Sequence, residues 1–225
     1  SANEAIMVAN QLGYPVALKI DSTDISHKSD VQGVALNVMN AAGVRDTWQN
    51  MMATVSRLRP DAHINGVTVQ NMSGKPLGRE LYIGVITDQP FGPVIAFGAG
   101  GTLIELIADR AIELPPLNLY LAQRLVDRVR SASMLDTWRG AAPADREALE
   151  HILLRVSEMV CALPQLREMD INPVVVDDSG ALVVDARIVI DHAPAEPGNY
   201  QHLAILPYPS EPETEWPLRD GSHYL

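Results

Sequence analysis

Apolar residues recur along this chain at two different periods, and the switches between them mark its elements. In Asn3–Leu12, Ile6, Ala9 and Leu12 share one helical face, with Gly13 as the stop residue. Pro15–Ile20 (PVALKI) reads as a strand, residues 21–32 as a polar loop without period, and Gly33–Val38 (GVALNV) as a second strand, together a hairpin-like lobe with a long tip. Trp48, Met51, Met52 and Val55 repeat at helical spacing within Val44–Leu58, and Pro60 closes that segment. Strands are predicted at 66–72, 80–87 and 94–97, the last two separated by the Pro- and Gly-punctuated turn 88–93. After Gly98-Ala99-Gly100-Gly101, amphipathic helices are predicted over 118–130 and 144–163, the second with Leu149, Ile152, Leu153, Val156, Met159, Val160 and Leu163 on one stripe and Pro164 as its stop. Strands at 168–176 and 181–190 flank an Asp-Asp-Ser-Gly turn and form a hairpin. Beyond His192 the period disappears and prolines recur, which predicts an extended connector that packs on a surface or joins domains. Hairpins mixed with helices, without strict βαβ alternation, point to an α+β fold with mostly antiparallel sheets.

Composition narrows the function classes. A chain of 225 residues, 47% apolar and 20% charged, can bury one large or two small cores. It has no apolar run of spanning length and no basic-then-apolar leader, so neither membrane insertion nor secretion is expected. The single cysteine, Cys161, falls on a helical apolar stripe; a buried thiol and a reducing, cytoplasmic setting are expected. A net charge of −11 disfavours nucleic acid and anionic membranes as partners, so an anionic ligand needs a local pocket.

The final hairpin carries the densest chemistry. Period-2 geometry puts Asp170 and Asn172 on one strand face, and a short turn sets Asp185 across from Val174 and diagonal to Asn172, with Arg187 opposite Asn172. One or two carboxylates beside a carboxamide suit Mg²⁺, which takes its remaining ligands from phosphates and water. The bland alternative is that Asp170 and Asn172 cap strand ends. Lys19, inside an apolar strand, either reaches water from a sheet edge or meets an anion such as phosphate. Gly98, Gly100 and Gly101 follow a strand and either expose backbone N–H groups to phosphate or simply make a turn; neither a Walker pattern nor a dinucleotide fingerprint is present. His27, in a polar loop beside Lys28 and Asp30, is either a surface residue or a nucleophile for phosphoryl transfer.

Read in order, GYPVALKI, DISHKSDVQGVALNV, GRELYIGVITDQPFGPVIAFGAGGTLIEL and EMDINPVVVDDSGALVVDARI resemble the ATP-grasp domain of ADP-forming acyl-CoA synthetases, over nearly all of residues 4–191. The resemblance implies an ATP-grasp fold with an N-terminal lobe at 1–66 that lacks its opening helix and strand, a C-terminal lobe at 67–191 and a connector at 192–225. ATP/ADP and Mg²⁺ are the implied cofactors, in a reaction that converts acyl-CoA, ADP and phosphate to acid, CoA and ATP through acyl phosphate and phosphohistidine. It assigns Lys19 to the ATP phosphates, Gln70, Asn71 and Met72 to the hinge beside adenine, Glu80 to the cleft lining, Gly100, Gly101 and Glu105 to the glycine loop and the acid after it, and Asn172 and Asp185 to Mg²⁺. Asp170 is placed near the phosphohistidine docking position, and His27 on a swinging loop that relays phosphate. Gln32 stands where many synthetases have glycine. The implied partners are CoA-binding and ligase domains of the same or another chain, with a small-molecule acid and CoA as substrates. The tail NYQHLAILPYPSEPETEWPLRDGSHYL resembles the connector to a Gcn5-related acetyltransferase domain, and with it comes an alternative reading of the module as a regulatory sensor.

Overall fold

The computed structural model describes residues 1–25, 28–72, 77–101, 108–137, 140–192 and 200–206, together with the backbone of 216–217 and 223–224. His27 and Glu105 lie outside the described residues. The chain divides into two compact units, Ser1–Pro76 and Leu77–Leu225.

In the first unit, helices α1 (Ala2–Leu12) and α2 (Ala41–Leu58) flank a three-stranded antiparallel sheet of β1 (Val16–Asp21), β2 (Val34–Val38) and β3 (Gly66–Asn71), in the order β2-β1-β3. A capping box between Ser1 and Glu4 starts α1, and the Asn40 side chain accepts from the Gly43 N–H to start α2, so each helix begins where a side chain satisfies its free amides. Val16, Leu18 and Ile20 of β1 pack with Ala5, Ala9, Val44, Met51 and Val55 into one core. Because β1 is the central strand, Lys19 is no edge lysine. It is 6% exposed, on the opposite face to that core. The pairing of β3 with β1 also moves the boundary expected after residue 66: strand 66–71 belongs to the first unit, because its amides pair there, and the division falls at 76/77.

The long tip between β1 and β2 closes with a 3₁₀ turn, Lys28–Val31, followed by Gln32 at φ 55 and Gly33, whose N–H donates to Lys28 O at 2.7 Å. The position where the family resemblance puts glycine is thus left-handed, a conformation that costs a side-chain-bearing residue about 1 kcal/mol. Gln32→Gly should raise stability by about 0.5–1 kcal/mol, or about 1–4 °C in the thermal midpoint. A lowered midpoint would show that the glutamine side chain supports the turn.

The second unit is built on a six-stranded antiparallel sheet. Its strands are β4 (Arg79–Asp88), β5 (Gly92–Ala99), β6 (Arg110–Glu113), β7 (Leu166–Asp177), β8 (Gly180–Val183) and β9 (Ala186–Ile190), in the order β6-β5-β4-β7 with β8 and β9 both paired to β7. Strand β6 was not expected: four residues give too short an alternation to read, and its pairing with β5 creates it. Helices α3 (Leu119–Asp127) and α4 (Arg146–Ala162) supply Leu125, Leu149, Leu153 and Val156 to a core with Leu81, Ile83, Val85, Ile95 and Phe97. The helix expected over 118–130 stops at Asp127, and a 3₁₀ segment, Arg130–Leu135, follows, begun by Asp109, whose carboxylate accepts from the Arg130 and Ser131 N–H groups at 3.0 and 2.6 Å. Cys161 is half-buried against this core, and burial pushes its thiol pKa up.

Arg79 is buried at the start of β4 and donates to the carbonyls of Met134, Asp136, Ala142 and Leu77 at 2.9, 3.1, 2.6 and 3.4 Å. One guanidinium thereby fastens the backbone of Met134, Asp136 and Ala142 to the sheet. Part of the expected connector is also anchored: Leu203 is buried in the core of the second unit, and a ring nitrogen of His202 lies 3.0 Å from Val160 O on α4. Farther on, Trp216–Pro217 pairs with His223–Tyr224. Among the described residues, no helix is long and apolar enough to cross a membrane.

Candidate functional site

In the second unit, the strand face turned away from the helices gathers the polar residues. Leu81, Ile83 and Val85 fill the core, so alternation turns Glu80, Tyr82 and Gly84 to the other face. The partner strand β7 changes phase part-way. Ile83 pairs with Ile171 and Leu81 with Val174, so Asn172 and Pro173 together face Tyr82 in a bulge. That extra residue lets Met169 and Ile171 on one side, and Val174 and Val176 on the other, all reach the same core.

The bulge and the turn correct the expected register. Val174 is fully buried on the core side rather than sharing a face with Asn172. The turn closes at Asp177↔Gly180, where Asp177 Oδ1 accepts from the backbone N–H and the hydroxyl of Ser179 at 2.9 and 2.7 Å, so the second strand sits two residues away from the expected pairing. Asp185 therefore lies directly across from Asn172, whose N–H donates to Asp185 O at 3.2 Å, and Arg187 is opposite Asp170 rather than Asn172. The Arg187 guanidinium also lies 3.5 Å from the Glu168 carboxylate. The carboxyl Oδ1 of Asp170 is buried.

The glycine segment closes on the same place. Gly100 N–H donates to Glu80 O at 2.9 Å, and Gly101 N–H donates to Asn172 Oδ1 at 2.8 Å while Asn172 Nδ2 donates back to Gly101 O at 3.4 Å. Gly101 has φ +79, and a Cβ there would stand 2.0 Å from Glu80 Oε2, so only glycine lets the carboxylate and the loop approach this closely. Residues Glu80, Gly100, Gly101, Asn172 and Asp185, scattered over more than a hundred positions, thus form one cluster, with Asp170 and Arg187 beside it on β7 and β9.

In the first unit, Lys19 pairs with Thr68 and Ala17 with Gln70, so Lys19 and Gln70 lie on one face of that sheet. Asn71, opposite Val16, points to the other face, and Met72 N–H donates to Pro15 O at 3.3 Å just past the strand. Tyr82 was missed at the sequence level, although its offset of two from Glu80 in a strand was the signal that put it on the site face. Burial raises its phenol pKa, with the nearby Asp170 carboxylate adding to the rise and Arg110 opposing it.

Among the described residues, no group of three or more His, Cys, Asp or Glu side chains gathers to hold a metal ion. The available donors are the Asp185 carboxylate and the Asn172 carboxamide, whose oxygen keeps a second lone pair after accepting from Gly101. Such a sparse oxygen set fits Mg²⁺ when phosphate and water complete its shell, and does not fit Zn²⁺.

The family profile of the ATP-grasp domain matches residues 1–190. The chain belongs to the ATP-grasp domain family. A relative of this ATP-grasp domain, the β subunit of an ADP-forming acetate–CoA ligase (I) from Pyrococcus furiosus, is 36% identical over 187 residues, covering 83% of this chain and 80% of that protein. Among solved structures, acetyl-coenzyme A synthetase 1 of Ca. Korarchaeum cryptofilum in complex with coenzyme A, Ca-AMPCP and HgCl⁺ superposes with a TM-score of 0.80 at 37% identity, covering 85% of this chain and 82% of that one. The same enzyme in complex with coenzyme A and Mg-AMPPCP, its phosphohistidine segment pointing towards the nucleotide-binding site, gives a TM-score of 0.70 at 34% identity over 85% and 83% of the two chains. The α+β, antiparallel architecture expected from the sequence is that of the ATP-grasp domain.

Proposed function

We propose that this domain binds Mg-ATP and hands its γ-phosphoryl group to a histidine, on the way to acyl phosphate and acyl-CoA in an ADP-forming acid–thiol ligase. The observation that carries this reading is the Asp185–Asn172 pair locked to the Gly101 loop, a ready arrangement for a phosphate-bound cation. Bound there by Asn172 and Asp185, Mg²⁺ would neutralise charge on the phosphates. The side chain of Lys19, together with the Gly100 and Gly101 segment, contacts the phosphates, and Gln70, with the backbone of Asn71 and Met72, borders the adenine with Glu80. Arg187 joins the residues that bind the nucleotide and Asp170 receives the histidine-bearing segment, with Glu105 following the glycine loop and His27 relaying phosphate. The likeness to a synthetase whose phosphohistidine segment points towards its nucleotide site supports these roles. The substrates are a small acid and CoA, bound by further domains, in a cytoplasmic setting.

His27→Ala in the full-length protein, assayed with its CoA-binding partner domains, tests the relay. ATP-dependent acyl-CoA formation should fall at least about 100-fold, as loss of a covalent carrier does, with Mg-ATP affinity unchanged. Wild-type turnover in that variant would remove His27 from the mechanism.

A second reading, regulation of a fused acetyltransferase, is favoured by the connector resemblance and by the docking of Leu203 and His202 on the second unit, which gives a following domain a fixed point of attachment. It predicts nucleotide binding without acyl-CoA turnover.

A further inference from the structure

Tyr82 is a residue that neither the family resemblance nor the donor set above accounts for. Its ring does not stand up from the sheet. It lies along β4 over Gly84: a Cβ on Gly84 would be 2.0 Å from Tyr82 Oη, 2.5 Å from Cζ and 3.0 Å from Cε1. The cross-strand neighbours on that face are small as well, Gly98 opposite Tyr82 and Ala96 opposite Gly84. These three positions form a flat bed that holds the ring down, and any larger residue at 84 would lift it. The direction in which the ring lies matters, because Gly84 is also paired with Asp170, and Asp170 with Arg187. The phenol is therefore delivered to the row that carries the carboxylate and the guanidinium. Arg110, opposite Gly98, closes the other end of Tyr82's own row.

The position has a chemical logic. A phosphoryl group passing Asp170 meets a like charge and needs donors that do not add negative charge of their own. A phenol is neutral near pH 7, and its O–H can donate without bringing negative charge of its own. A neutral O–H held rigidly beside an anion is such a donor, with little ordering left to do when phosphate arrives.

We propose that Tyr82 donates its phenolic O–H to an oxygen of the phosphoryl group in transfer, holding that group beside Asp170. This rests on the Mg-ATP reading above. In the step concerned, the bond from Pγ to the bridging oxygen breaks as a P–N bond to histidine forms. The electron pair leaves with ADP, and Tyr82 keeps its proton throughout.

Tyr82→Phe keeps the ring over Gly84 and removes only the hydroxyl. In the full-length protein with its partner domains, kcat for ATP-dependent acyl-CoA formation should fall about 10- to 100-fold, the loss that follows removal of one hydrogen bond to a charged oxygen. The Kd for Mg-AMPPCP, which has a γ-phosphoryl group, should weaken about 3- to 10-fold, while that for Mg-ADP stays within about twofold. The thermal midpoint should not move. Wild-type kcat in Tyr82→Phe overturns the proposal, as does an equal loss of affinity for Mg-ADP and Mg-AMPPCP. Failure of the underlying reading looks different: the unmutated protein itself then binds neither nucleotide.

Discussion

Asp185→Ala should lower the affinity for Mg-ATP by about 100-fold or more, roughly 2.7 kcal/mol, and reduce acyl-CoA formation by at least as much. Asp185 is the carboxylate directly across from Asn172, and Asn172 is already committed on one side to the Gly101 N–H. Without Asp185, the donor set loses its formal negative charge and keeps only a carboxamide oxygen, too weak a site for an ion that gives up water reluctantly. Because Asp185 is exposed at the break between β8 and β9, the fold should be nearly indifferent, with a stability change below about 1 kcal/mol. Calorimetric titration with Mg-ATP, beside thermal denaturation, separates the two effects. An unchanged affinity in a folded variant would rule out Asp185 as a cation ligand, and with it the role given to Asn172.

Arg79→Met should destabilise the protein by about 3 kcal/mol, or about 6–12 °C in thermal midpoint, with no direct contact to the site. The methionine fills similar volume but loses every hydrogen bond that the buried guanidinium makes, to the carbonyls of Met134, Asp136, Ala142 and Leu77. Arg79→Lys should recover only part of the loss, since an ammonium cannot present the planar fork that reaches several carbonyls at once. The contrast is Arg124→Ala, which removes an ion pair with Glu113 from a half-exposed side chain and should cost less than about 1 kcal/mol. Equal costs for Arg79→Met and Arg124→Ala would mean that Met134, Asp136 and Ala142 are held by something other than this guanidinium.

The stripe of α4, the Gly13 stop of α1, and the strand character of β1, β4 and β7 were legible because each depends on neighbours within a turn or two of chain. Family membership was legible for a related reason: four long phrases in fixed order specify a fold more tightly than any single motif. The identities of Asp170, Asn172 and Asp185 stood out as polar residues inside apolar strands. Their mutual placement did not. The Asp-Asp-Ser-Gly turn, centred on Asp178–Ser179, sets Asp185 opposite Asn172, two residues from the pairing first expected, and one bulge at Asn172–Pro173 flips the phase of everything beyond it. The bulge leaves no mark in periodicity, because it is chosen by how well Val174 and Val176 fill a core made by distant helices.

On its own, then, the sequence determined the elements, the α+β class, the family and the residue types capable of phosphate and cation chemistry. These follow from local periodicity and from chemistry that each side chain carries with it. Only the tertiary structure decided that β3 pairs in the first unit, that Lys19 lies on a central strand, that Asn172 holds the Gly101 loop while facing Asp185, and that Tyr82 lies down over Gly84 towards Asp170. Each of these depends on which strand lies beside which and in what register. That choice is made by burying the shared core, whose free energy belongs to no single segment of the chain.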